Sequence, residues 1–114
     1  MTIVSMQRGA SIGGMNKTEA AYFDYLHQRM LLREVIWYAF ECLKFRLADN
    51  TWYIPDFTVI LASGEIELHE VKGFWRDDAR VKIKVAAEMY PWRFLAVKRQ
   101  RQQWEFEMVG KKKL

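Results

Sequence analysis

From Ile54 to Lys72 the chain reads I-P-D-F-T-V-I-L-A-S-G-E-I-E-L-H-E-V-K, two alternating runs divided by Ala62-Ser63-Gly64. Side chains along a strand repeat every two residues, so Ile54, Asp56, Thr58 and Ile60 share one face of the first run. By the same parity Ile66, Leu68, Glu70 and Lys72 share one face of the second, while His69 points the other way. A hairpin is therefore predicted, and it brings Asp56, Glu70 and Lys72 together. Ile66 and Leu68 anchor the second strand in a core, so a carboxylate and an amine continue an apolar row. Such a row is unfavourable unless the charges meet each other, a metal or water. The charged end of this hairpin is thus the candidate site, and the rest of the chain must fold around it.

Residues 1 to 15 carry Gly9, Gly13 and Gly14 with little periodicity and read as a flexible arm, with a short strand at Ile3 and Val4. From Asn16 good helix formers take over, with apolar side chains recurring at Tyr22 or Phe23, Leu26 and Met30, which predicts a helix of about five turns. Asn16 caps it, and Glu19, three residues on, completes a capping box. Glu19 also lies on roughly the same stripe as Phe23, Leu26 and Met30, which turns its side chain toward the sheet. From Val35 to Leu47 an aromatic and β-branched run predicts one strand with an irregular start near Trp37. Ala48-Asp49-Asn50 turns it into the Asp56 strand, giving a three-stranded antiparallel meander. Pro55 lacks an amide proton and belongs at an edge or bulge. After Gly73-Phe74-Trp75, Asp77 or Asp78 caps a second helix that Pro91 stops, with Ala79, Ile83, Ala86 and Tyr90 on its apolar stripe and Arg80, Lys84 and Glu88 opposite. Arg93 to Lys98 and Gln103 to Val109 read as two more strands, and Gly110 to Leu114 as a loose basic tail.

A chain of 114 residues, 51% hydrophobic, makes one domain, here residues 16 to 109. No apolar run approaches the roughly 18 residues of a membrane span, and the N-terminus lacks a secretory pattern, so no membrane partner and a cytoplasmic location are expected. Cys42 is the single cysteine; without a partner for a disulfide or a zinc site it reads as a packed small hydrophobe. The formal charge is +4, with cations clustered at Arg76, Arg80, Lys82 and Lys84, at Lys98, Arg99 and Arg101, and at Lys111 to Lys113. Clustered cations suit a polyanion, because each neutralised phosphate releases counterions.

Pro-Asp, thirteen intervening residues and Glu-x-Lys resemble the signature of the PD-(D/E)XK nuclease superfamily. I-P-D-F-T-V, H-E-V-K-G-F and a Lys-rich helix ending in Y-P-W-R-F resemble, more narrowly, small nucleases of bacteriophages and prophages, and more distantly the endonuclease subunit of transposition systems. The resemblance covers roughly residues 16 to 98. It implies a restriction-endonuclease-like α/β core: a mixed sheet of four or five strands flanked by two helices, in the order α-β-β-β-α-β-β. It also implies a Mg²⁺-dependent phosphodiesterase acting on DNA, with Mn²⁺ able to substitute. Asp56 and Glu70 would be hard oxygen ligands, with the Val71 carbonyl and Glu19 completing the metal site. Lys72 would orient or help deprotonate the attacking water and neutralise charge on the phosphate.

Around that site Arg76, Arg80, Lys82 and Lys84 are candidate phosphate contacts, and Trp75 either stacks on a base or packs in the core. His27 and His69 are read as structural. The rival expectation is a non-catalytic DNA-binding module on the same fold, or a nuclease subunit of a larger recombination machine. One domain this small leaves little room for a sequence-reading unit, so branched DNA is the expected substrate. Symmetric cutting would need a homodimer, for which the N-terminal arm and the aromatic edge at Trp37, Tyr38 and Phe40 offer material.

Overall fold

The helix that begins after Asn16 starts and stops as its sequence dictates. The Asn16 side chain accepts the Glu19 amide at 2.8 Å, and the Glu19 carboxylate accepts the Asn16 amide at 3.0 Å, closing the capping box. In the computed structural model, which describes residues 4–6, 14–72 and 77–110, helix α1 then runs from Lys17 to Leu31. It ends in a Schellman turn in which Arg33 takes φ 64, with the Arg33 amide on the Met30 carbonyl and the Glu34 amide on that of Arg29.

Strand β1 (Val4–Met6) precedes α1; β2 (Val35–Phe40), β3 (Leu43–Ala48), β4 (Thr51–Tyr53), β5 (Phe57–Leu61) and β6 (Ile66–Lys72) follow it, then helix α2 (Asp77–Met89), then β7 (Arg93–Gln100) and β8 (Gln103–Val109). The principal sheet has five strands in the order β2-β5-β6-β7-β8. It is mixed: β6 and β7 are parallel, joined across α2, and the other neighbours are antiparallel. A smaller sheet, β1-β3-β4, packs with α2.

Alternation sorts the core into two halves. One face of the large sheet carries Phe57, Val59, Val71 and Val97 and takes up Tyr22 and Leu26 of α1. The other carries Leu68, Phe94 and Ala96, against Ile83, Ala86, Ala87 and Tyr90 of α2 and Phe45 and Tyr53 of the small sheet. The apolar stripe expected on the second helix is the one that is buried, except that Ala79 stays partly exposed. Cys42 is a buried free thiol, as a small hydrophobe would be.

The single strand expected from Val35 to Leu47 is instead two. Glu41, at φ 49, breaks the run, and β2 and β3 enter different sheets. The meander is therefore β2-β5-β6, with β3 and β4 inserted between its first two strands. The irregularity expected near Trp37 is a register shift between Val35 and Trp37. Ile54, Pro55 and Asp56 stand outside any strand, so Pro55 interrupts no ladder and Ile54, 40% exposed, does not join the core row. The strand expected at the N-terminus is β1, antiparallel to β3 of the same chain. The remaining features read from residues 1–3, 7–13, 73–76 and 111–114 lie outside the described residues. Of the aromatic edge, Phe40 is buried, Tyr38 packs on Phe23 and only Trp37 is exposed.

Candidate functional site

Five elements end at the same margin of the large sheet. They are the end of β2, the start of β5, the last residues of β6 and the first turn of α1, with β4 closing the far side. Asp56 sits where the chain enters β5, one step before the Phe57–His69 pair, and therefore faces Glu70 of β6. Two backbone amides fix it. The Val71 amide donates to Asp56 Oδ2 at 2.8 Å, and the Glu41 amide donates to the Asp56 carbonyl at 2.8 Å. Glu70 is held as firmly: Tyr53 Oη donates to Oε1 at 2.8 Å and Lys72 Nζ lies 3.2 Å from Oε2. Asp56 and Glu70 are both buried, whereas Lys72 is half-buried at the mouth.

The electrostatics follow from crowding acids where water is scarce. Burial, then the neighbouring Glu70 carboxylate, pushes Asp56 up to about 8, against the pull of the Val71 amide and Lys72. Burial likewise raises Glu70, although Tyr53 and Lys72 oppose it. Lys72 is pulled down by burial, but Glu70 and Asp56 outweigh that and hold it above its ordinary value, so it is a cation at neutral pH.

Glu19 plays both parts expected of it. Its carboxylate completes the helix cap, and the same buried side chain bears electrostatically on Asp56, Glu41 and Lys72. One geometry serves both because the N-terminus of α1 points into the site.

Glu41 and Tyr53 belong to the site but are not legible as such in the sequence. Glu41 looks like an interior residue of a strand; only the left-handed break at that position turns it to the margin. There burial first, then Glu19 and Glu70, raises its carboxyl. Tyr53 reads as an ordinary strand aromatic, and only the small sheet sets its hydroxyl against Glu70. Val71 enters through its amide, which donates to Asp56; the carbonyl was the atom expected to serve. The basic residues of α2 do not share one surface. Lys82 lines the groove shared by Glu70, Tyr53 and Asp78, and its Nζ reaches the Trp52 carbonyl at 3.3 Å. Arg80 and Lys84 line a different pocket, against Ala96 and Glu107 to Gly110. Trp75 and Arg76 lie outside the described residues.

His69 is completely buried on the α1 face of the sheet, opposite Glu70 as strand parity requires. Its Nδ1 lies 2.6 Å from Tyr22 Oη and its Nε2 2.9 Å from Glu67 Oε1. Burial lowers its pKa despite Glu67, so the ring is neutral; one tautomer, with Nε2–H donating to Glu67 and Nδ1 accepting from Tyr22, satisfies both bonds. His27 is exposed and pairs with Tyr38 Oη at 3.2 Å.

Hard carboxylate oxygens suit Mg²⁺ or Mn²⁺, and Mg²⁺ characteristically takes only one or two protein carboxylates and keeps several waters. Among the described residues no group of three Asp, Glu, His or Cys side chains forms a ready-made metal cage. The donor set nevertheless fits a divalent cation: two fixed, buried carboxylates repel one another, two more stand near, and Lys72 is the cation that answers them. No helix of the described residues is long and apolar enough to cross a membrane. No protein-family model matches the chain, and neither does any curated protein or solved structure.

Proposed function

We propose that this chain is a divalent-metal-dependent DNA endonuclease of the PD-(D/E)XK kind, on a restriction-endonuclease-like fold, and that it hydrolyses phosphodiester bonds in branched or otherwise structured DNA. The observation that carries this reading is the Asp56–Glu70–Lys72 group at one margin of the sheet, with both acids pinned by hydrogen bonds and raised by burial. A structural ion pair would need only Glu70 and Lys72, and its contribution at such a half-exposed position would be about 0–1 kcal/mol. A buried Asp56 beside it, clamped and repelled by Glu70, is unfavourable for folding and is explained by a ligand that compensates the charge.

Asp56 and Glu70 would hold Mg²⁺ or Mn²⁺, and Glu19 and Glu41 add negative charge beside them. When bound, such an ion polarises a phosphoryl oxygen and lowers the pKa of a coordinated water. The chain's own part is positional and electrostatic. The Val71 amide and the Tyr53 hydroxyl prevent the acids from rotating away, and the Glu41 amide holds the Asp56 backbone. Lys72, a cation at neutral pH, donates hydrogen bonds to an approaching phosphate or water and stabilises negative charge as it develops. A cation held above its ordinary pKa is a poor proton acceptor, which favours this role over that of general base. Lys82, on the wall of the Glu70 groove, offers a phosphate contact.

Incubating the protein with labelled four-way junctions, flaps, duplex and single strands in Mg²⁺ or Mn²⁺ tests the proposal. Cleavage is expected for the branched substrates and is expected to be lost in Asp56→Asn and Glu70→Gln. Metal-independent cleavage, or full activity in either variant, overturns it. A homodimer would be needed to cut two strands symmetrically; the ratio of nicked to linear product from a supercoiled plasmid, read beside the sedimentation mass, decides that question.

A further inference from the structure

We infer that the groove between α1 and the β7–β8 hairpin is a binding site for an unpaired nucleobase of the substrate strand. Its volume of about 510 Å³ lies within the range of small-ligand sites. One wall is the α1 stripe bearing Asp24, Tyr25 and Gln28; the other is the hairpin, with Arg99, Gln103 and Trp104. The Arg99 guanidinium lies 5.3 Å from the Trp104 ring centroid, and Trp104 is itself braced edge-on by Tyr22 at 4.9 Å and tilted against Tyr25 at 6.1 Å. A guanidinium plane supported from beneath by an indole is a platform on which a base can stack.

The charge pattern selects a base over a backbone. Within the groove Asp24 and Arg99 are balanced, and amides supply the remaining polarity. Phosphates favour unopposed cations, whereas a base edge needs mixed donors and acceptors, which a carboxylate and amides provide. Two further cations lie outside it: Lys98 on β7, which faces Glu105 across the β7–β8 ladder, and Arg101 at the hairpin tip with φ 58, in a left-handed conformation that glycine usually takes. Arg101, next to Gln102 of the groove, is placed to follow the backbone while the groove takes the base.

The groove opens at the same end of the sheet as the candidate site but on the α1 face, whereas Glu70 and Lys72 are on the α2 face. Lys98 pairs in register with Lys72, so Arg99 is one residue beyond the neighbour of Lys72 on a strand about 4.8 Å away. On the opposite wall Ala21 is two residues from Glu19. A strand whose phosphate rests at Lys72 would have to turn round this margin of the sheet to reach the groove. The placement rests on the endonuclease reading, but base binding is measurable without it.

The test uses the full chain in EDTA, which stops any metal-dependent turnover, and three labelled probes about 12 nucleotides long: a single strand, its abasic counterpart and a blunt duplex. The parent is expected to bind the single strand at least about fivefold more tightly than the abasic strand, as expected for one stacked base. Arg99→Ala with Gln103→Ala, both exposed positions, is expected to abolish that preference, with duplex affinity within about twofold of the parent and an unchanged melting temperature. Equal binding of the normal and abasic strands by the parent, or a preference that survives in the double variant, overturns the inference. Cleavage in Mg²⁺ is scored separately: a parent that prefers bases yet cuts nothing removes the endonuclease and leaves the groove.

Discussion

The Asp56 carboxylate accepts the Val71 amide at 2.8 Å, so an acid at the entrance of one strand is fastened to the backbone between the two charged side chains of the next. The bond fixes the separation of Asp56 from Glu70 and Lys72 without consuming either of those side chains. It also leaves Asp56 buried and repelled by Glu70, an arrangement that trades stability for function.

That trade has a sign. Because Asp56 is raised in the fold from 3.8 to about 8, the native state holds more protons than the unfolded chain across that interval, and stability falls as pH rises through it. Glu70 and Glu41 act in the same direction. Below about pH 6.5 the buried neutral His69 acts in the opposite sense, so without divalent metal the melting temperature is expected to decline from about pH 6.5 to 8, and less steeply in Asp56→Asn, whose amide oxygen can still accept from Val71. Parallel curves for the two proteins would show that Asp56 is not the group responsible.

Added Mg²⁺ or Mn²⁺ should raise the melting temperature of the parent at pH 8, because a ligand that binds only the folded chain stabilises it by mass action. At a concentration of 100 Kd the gain is about 2.7 kcal/mol. Asp56→Asn and Glu70→Gln should show no such rise; a rise in the variants equal to that of the parent argues for a site elsewhere.

Glu41→Gln keeps the side-chain shape and the left-handed backbone but removes one charge. Divalent affinity or cleavage is expected to fall about 10- to 100-fold, the range for groups that support a metal site from just outside it. Tyr53→Phe, which releases Glu70 Oε1, should fall in the same range. Calorimetric titration with Mn²⁺ measures both, and parental affinity in both variants would reduce these residues to packing.

Salt titration should distinguish the cations of α2. Lys82→Ala is expected to weaken DNA binding without regard to sequence and to reduce the salt slope by about 1, since Lys82 lines the Glu70 groove. Arg80→Ala and Lys84→Ala, which line the opposite side of the helix, should change the slope less. The reverse ranking would move the DNA path to the β7–β8 side.

His69→Asn or Tyr22→Phe leaves a buried partner unsatisfied and is expected to lower stability by about 1–3 kcal/mol. Chemical denaturation checks this. The Tyr22–His69 bond ties α1, which carries Glu19, to β6, which carries Glu70, so a cost near zero would mean the helix is held by apolar packing alone.

Local pattern made much of this protein legible. Strand parity placed His69 opposite Glu70 and aligned Glu70 with Lys72; the capping box at Asn16 and Glu19 and the buried stripe of α2 follow from helical spacing, which acts over a few residues. What parity could not reveal is where a run of good strand formers breaks. Val35 to Leu47 has the composition of one strand, and its division at Glu41 is decided by two sheets that compete for its halves, pairing β2 with β5 and β3 with β1 and β4. The same competition brings Tyr53 to Glu70, Glu41 to Asp56 and the β7–β8 hairpin beside α1. These partners are distant in sequence. Their meeting depends on how two sheets and two helices share one core, which no short window of the chain contains.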